Sequence, residues 1–219
     1  RLVSSLFASR ASLLKRKAKL NLIGEALNDS NSELLIKLLS DFDFEDEDLN
    51  SDEFGQLAPE IDGQNGLSKV LENVKQAIIL ENSYIEELLR ILDEVGENIE
   101  SHDPKFSIAM KSLEKFLSEG PVLVFSRYTD TLDGFLNLFR NSHLLNQVPG
   151  FALYTGGRAW IQTSMGVVPA TKSDVTDALN SGVISLVFCS DAASEGLNLQ
   201  TAKTLINLDV PWNPARLEQ

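Results

Sequence analysis

The chain has little cysteine, little histidine and no long apolar run, and each shortage removes a class of function. Cys189 is the single thiol in 219 residues, so no disulfide framework is expected, and a reducing, intracellular and cytoplasmic setting fits. His102 and His143 are the two histidines; with no second cysteine to join them, no metal site is expected. No apolar stretch approaches the roughly 20 residues of a membrane span. The basic opening, Arg1 to Leu20, lacks the continuous apolar centre of a signal peptide. Also missing are a G-x-x-x-x-G-K-[ST] phosphate loop and a G-x-G-x-x-G turn after a strand. The first absence argues against a self-contained ATP-hydrolysing site, and the second against a dinucleotide-binding fold.

What is present supports a packed, soluble protein. Hydrophobic residues make up 43% of the chain, enough for a substantial core in one or two domains. The net charge of −13 is unevenly spread. Residues 1–20 hold six bases and no acid, residues 41–62 hold ten acids and no base, and residues 121–219 hold six bases against eight acids. The acidity is thus largely one local block and says little about the surface of the second half.

Apolar positions at helical spacing (Leu2, Phe7, Leu13, Leu14) predict a helix over 1–20, and Leu34, Leu35, Leu38 and Leu39 predict a short one over 31–40. The run from Asp41 to Asp48 and the polar stretch to Gly66 read as a mobile surface loop, because like charges packed so densely repel. From Leu67 to about Glu100 the apolar residues step by three and four through Val70, Val74, Ile78, Ile85 and Leu89. That predicts a long amphipathic helix, with a break possible near Glu81-Asn-Ser83. A further helix begins near His102-Asp-Pro104, with Ser101 or Asp103 as N-cap and Pro104 in the first turn.

At Gly120-Pro121 the character changes. Val122-Leu-Val-Phe125 is a wholly apolar run suited to a strand covered on both faces. Similar runs follow at Phe151–Tyr154, Ile184–Phe188 and Leu205–Leu208, with helices at Thr129–Arg140 and Lys172–Asn180 between them. Buried strands alternating with helices predict an α/β fold, a parallel sheet with helices on both faces. Functional loops in such sheets lie beyond the carboxyl ends of the strands. Polar clusters stand there: Ser126-Arg127, Thr155-Gly-Gly-Arg158, Cys189-Ser-Asp191 and Asp209-Val-Pro-Trp-Asn213. Arg158 to Ala170 reads as a longer loop.

The most informative segment is Cys189-Ser-Asp-Ala-Ala-Ser-Glu-Gly-Leu-Asn-Leu-Gln200. Small residues leave a strand end and reach Gly196, where backbone can come close to a ligand. This segment resembles motif V of the two-lobed RecA-like helicases and translocases, in the form found in the bacterial and archaeal, RapA-like branch of the Swi/Snf-type group. Val122-Leu-Val-Phe-Ser-Arg-Tyr-Thr-Asp-Thr131 is similar to motif IV, and Tyr154-Thr-Gly-Gly157 to the loop that follows. The stretch Leu205 to Gln219 is similar to the link between motifs V and VI. The resemblance covers residues 103–219 strongly and residues 1–20 weakly. It implies a RecA-like carboxy-terminal motor lobe at 103–219, preceded by a helical region at 1–102 with the acidic loop at about 41–66.

Several roles follow from the resemblance alone. Ser126, Arg127, Thr155, Gly156 and Ser190 are expected to meet the nucleic-acid backbone, with double-stranded DNA the expected substrate. Glu195, Gly196 and Asn198 are expected to line the ribose side of an ATP cleft. Many relatives carry Asp where this chain has Asn198, so no carboxylate stands there. The phosphate loop and the magnesium ligands are expected in an N-terminal RecA-like lobe, and an arginine-rich motif VI is expected after Gln219. This polypeptide alone is therefore expected not to turn over ATP.

Plainer readings compete. Cys189 reads as a buried filler at a strand end, since no histidine stands where it could activate a thiol. Asp191 reads as a turn cap, and the basic opening equally as a solvated helix face or a phosphate contact. Trp160 and Trp212 can simply pack, although Trp212, set among prolines, is placed to gate. The competing function is a non-catalytic module whose acidic helical region binds a basic partner.

Overall fold

A computed structural model describes residues 5–28, 63–95, 99–190 and 201–209, with 63–70 as backbone course only. The expected helix at 31–40, most of the acidic loop, the body of the motif V-like segment and Trp212 lie outside the described residues. The chain divides into two compact units, Arg1–Ser12 with Leu92–Gln219, and Leu13–Ile91.

In the larger unit Asp103 serves two helix starts. Its carboxylate accepts from the backbone N–H groups of Lys105 (2.9 Å) and Phe106 (3.4 Å), capping the helix Pro104–Leu117. Pro104 sits in that first turn, where its missing N–H costs nothing. The other Asp103 oxygen accepts from Leu6 N at 2.7 Å. Leu6 begins the helix α1 (Leu6–Asn28), and Ser5 Oγ accepts from Ala8 N at 3.0 Å in the N-cap manner. One buried carboxylate therefore satisfies the starts of two helices. With α2 taken as Gly63–Asp93, the helix after Asp103 is α3, followed by α4 (Thr129–Arg140) and α5 (Lys172–Asn180). Short 3-10 turns lie at Ile99–His102 and His143–Gln147.

Gly120, at φ +149°, turns the chain out of α3 into the sheet. The strands are β1 (Val122–Phe125), β2 (Gly150–Tyr154), β3 (Ala159–Thr163), β4 (Gly166–Pro169), β5 (Leu186–Cys189) and β6 (Thr204–Asn207). They form one sheet in the order β4-β3-β2-β5-β1-β6. The pairs β2–β5, β5–β1 and β1–β6 are parallel, whereas β2–β3 and β3–β4 are antiparallel. The expected α/β fold is thus present as a mixed, mostly parallel sheet. The expected loop from Arg158 to Ala170 is instead the hairpin β3–β4, which extends the sheet at one edge. Pro169 lies on that edge strand, where a missing donor is tolerated.

Alternation along the strands builds two cores. Val122 and Val124, Phe151 and Leu153, and Leu186 and Phe188 face one side, against α3 and α4. Phe139 makes edge-on contact with Phe151 at 5.2 Å, and Phe106 with Phe135 at 5.3 Å, geometries favoured by the ring quadrupoles. Ala152, Val187 and Cys189 face the other side, against Val175 and Leu179 of α5. Two glycines answer to close packing. A Cβ on Gly150 would stand 2.8 Å from Gln162 O and 2.9 Å from Val183 O. On Gly134 it would stand 2.7 Å from the Phe7 ring.

In the smaller unit, Leu20 and Ile23 of α1 and Ile85 and Leu89 of α2 are buried. Helix α2 runs from Gly63, a little earlier than its apolar period requires, and passes unbroken through Glu81-Asn-Ser83 before ending at Asp93. Arg16 grips Glu81 through two hydrogen bonds (2.6 and 2.9 Å), and Lys17 pairs with Glu86 at 2.9 Å. The far face of α2 leaves Ile79, Tyr84, Leu88 and Ile91 exposed. No described helix is long and apolar enough to cross a membrane.

Candidate functional site

Parallel pairing brings the carboxyl ends of β2, β5 and β1 side by side. Phe125 stands opposite Cys189, and Cys189 opposite Tyr154, so the next residues along each strand form a row. Ser126 N donates to Cys189 O (3.1 Å) and Ser190 N to Tyr154 O (3.1 Å), carrying the ladder one step past the strands. The structure therefore gathers Ser126, Ser190 and Thr155 at one sheet edge. All three are buried, with the exposed residues Arg127 and Gly156 beside them.

The ends of β2 and β1 each have a local lock. Thr155 N donates to Arg158 O at 2.8 Å, and Arg158 N donates to Thr155 Oγ1 at 3.1 Å, closing a tight turn over Gly156 and Gly157. A Cβ on Gly157 would meet nothing within 4 Å, so this turn is open to approach from solvent. The Arg158 guanidinium donates to both oxygens of Asp133 on α4, at 2.8 and 2.9 Å.

The β1 end is locked more deeply. Ser126 Oγ accepts from Tyr128 N at 3.1 Å and is hydrogen-bonded to the Asp209 carboxylate, with Tyr128 O also at 2.9 Å. Asp209 follows β6, and its carboxylate also accepts from Lys105 Nζ at 3.2 Å. The Ser126 hydroxyl is fully buried and engaged within the chain. Arg127, next to it, is exposed; its guanidinium lies 6.0 Å from the Tyr128 ring and makes no ion pair among the described residues.

Reasoning from the sequence put Asp209 in the right polar cluster but gave it no role. Lys105 it missed altogether, because nothing local links two residues 104 positions apart. Glu195, Gly196 and Asn198 lie outside the described residues. Cys189 is buried on the sheet, and burial raises its thiol to about 12, which fits packing and not nucleophilic chemistry.

A cleft of about 530 Å³ lies among α1, α4 and β2–β4, lined by Phe7, Leu136, Arg140, Leu153, Trp160 and Val167. Its cations are already held. Arg140 donates to Gln162 Oε1 at 2.9 Å and lies 4.9 Å over Trp160, whose role is packing. The buried Arg140 Nε has no hydrogen-bond acceptor and faces ring surface.

Residues 105–219, just over half of the chain, match the family model of the helicase conserved C-terminal domain. The chain belongs to this family. The match begins in the first turn of α3 and takes in every strand of the sheet and the row of strand ends. The helicase C-terminal domain is thus the unit that carries the candidate site. The chain is also similar to the uncharacterized ATP-dependent helicase YqhH of Bacillus subtilis (strain 168). The two are 29% identical over 154 residues, covering 70% of this chain and 24% of that relative, so the chain spans about a quarter of the relative's length.

Proposed function

We propose that this helicase C-terminal domain is the second motor lobe of an ATP-dependent translocase of the Swi/Snf type, in its RapA-like branch, acting on double-stranded DNA in the cytoplasm. The observation that carries the reading is the row of strand ends. Ser126, Thr155 and Ser190 stand side by side at the strand ends, and next to them Arg127 and Gly156 reach solvent. An exposed guanidinium and open glycine backbone suit phosphate oxygens, not base edges. The grip should therefore be largely indifferent to sequence.

The segment with the motif V pattern leaves this same edge after Ser190. Glu195, Gly196 and Asn198 are its ATP-facing positions, forming the ribose side of a cleft. The phosphate loop and magnesium ligands belong to an N-terminal RecA-like lobe. Residues 1–102 serve as a helical extension and 103–219 as the lobe itself.

The test uses the full-length protein. Gly196→Val should abolish DNA-stimulated ATP turnover with circular dichroism and melting temperature unchanged, because a branched side chain would hold ligand and partner lobe apart. Ser190→Ala should weaken DNA binding by about 1 kcal/mol, the usual worth of one neutral hydrogen bond. Wild-type stimulated turnover in a folded Gly196→Val protein would remove the motor assignment.

A further inference from the structure

We infer that Asp209 is a positioning residue for the nucleic-acid grip: by holding the Ser126 hydroxyl it fixes the turn that presents Arg127. The inference rests on the proposed function. It reassigns the β1 end from a direct hydroxyl–phosphate contact to a held guanidinium.

Four observations converge. Ser126 Oγ is fully buried, and its single proton has a carboxylate, the strongest acceptor nearby, within reach. The same oxygen accepts from Tyr128 N at 3.1 Å, so the residues on both sides of Arg127 are tied to one atom. The Asp209 side chain is itself only 12% exposed and is braced from a third element by Lys105 Nζ at 3.2 Å. Arg127 is the one residue in this turn whose side chain points to solvent with no ion pair among the described residues. A phosphate arriving at this strand end finds the hydroxyl occupied and, among the described residues, an exposed guanidinium with no ion pair. Holding the backbone on either side of an arginine restricts where its head can go, which lowers the ordering cost of each contact.

The two roles for Ser126 differ in the dependence of binding on salt. Each phosphate neutralised by a cation adds about 0.9 to the slope of log K against log salt on duplex DNA. A neutral hydroxyl contact adds affinity and leaves that slope alone. In the full-length protein binding a fluorescent DNA duplex, Arg127→Ala should lower the slope by about one unit. Asp209→Ala and Ser126→Ala should each lower it by a comparable amount, and either combined with Arg127→Ala should lower it no further. Asp209→Asn, which still accepts from Ser126, should keep the wild-type slope. A slope unchanged in folded Asp209→Ala and Ser126→Ala, beside a lowered one in Arg127→Ala, overturns the positioning role alone. Wild-type binding that does not weaken with salt overturns the proposed function and this inference together.

Discussion

Asp103 shows how much can hang on one side chain. It is 3% exposed, and its two oxygens divide between the start of α3 and the backbone of Leu6 at the start of α1. The cap of α3 was legible in the sequence, because Asp followed by Pro before an apolar period is a helix-start pattern. The second bond was not, since it joins residues 97 positions apart. Asp103→Ala strands buried donors at both helix starts and should lower the stability of the larger unit by roughly 2 kcal/mol or more. Asp103→Asn can still cap α3 through its remaining carbonyl oxygen but offers Leu6 N an amide nitrogen, so its loss should be smaller. Denaturant melts of the two variants check the order, and equal losses would mean that only one of the two bonds matters.

Among the elements, legibility followed burial. Val122–Phe125 is apolar throughout because it is covered on both faces, and the strand and its limits could be read directly from the residues. Strands β3 and β4 could not. Every residue of β4 is exposed and only Ile161 of β3 is buried, so no two-residue apolar rhythm marks them. Gly166 and Pro169 at the ends of β4 added loop-like punctuation. Helix α5, expected over the same residues, is fixed at its start by a capping box. Thr171 Oγ1 accepts from Asp174 N, and the Asp174 carboxylate accepts from Thr171 N at 2.7 Å. That backbone N–H, and then the Thr171 hydroxyl, hold the Asp174 carboxyl below its ordinary value. A carboxyl depressed in the folded state stabilises fully above its unfolded pKa, and the effect is lost as pH falls through the folded one. Asp174→Asn should therefore melt below wild type at neutral pH. The gap should close as pH falls below about 4, the ordinary range for Asp. A gap that persists at about pH 2 would assign the effect to something other than charge.

For the whole molecule, net charge is a poor guide to where phosphate goes. In the sequence the basic opening reads equally as a solvated helix face or a phosphate contact. In the structure Arg16 and Lys17 meet Glu81 and Glu86 in the smaller unit, and Arg10 meets Asp93 in the larger. Such surface pairs stabilise little, typically 0–1 kcal/mol each, but they occupy the charge. The lobe itself holds few cations, so the grip proposed here depends on the placement of Arg127 and not on a basic field. The helicase C-terminal family and the fold were legible from the second half because motifs and buried strands coincide there. The candidate site was legible only in outline: the sequence put Ser126 and Arg127 together, and the structure separates a buried hydroxyl from an exposed guanidinium.

The lone thiol also makes the sheet its own reporter. Cys189 lies on β5 in the middle of the strand order, 2% exposed, with its ionisation pushed up to about 12. Burial disfavours the thiolate in the folded state, whereas a free cysteine carries a sizeable fraction of it at about pH 8. An alkylating reagent can therefore react only when the strands part, and the labelling rate becomes a clock for that opening. No cysteine lies in Leu13–Ile91, so the label sits on the larger unit alone. Labelling under excess reagent should be slow in buffer and accelerate with added urea well below the melting midpoint. A half-time equal to that of a free peptide thiol, and indifferent to urea, would mean that β5 does not lie inside the sheet.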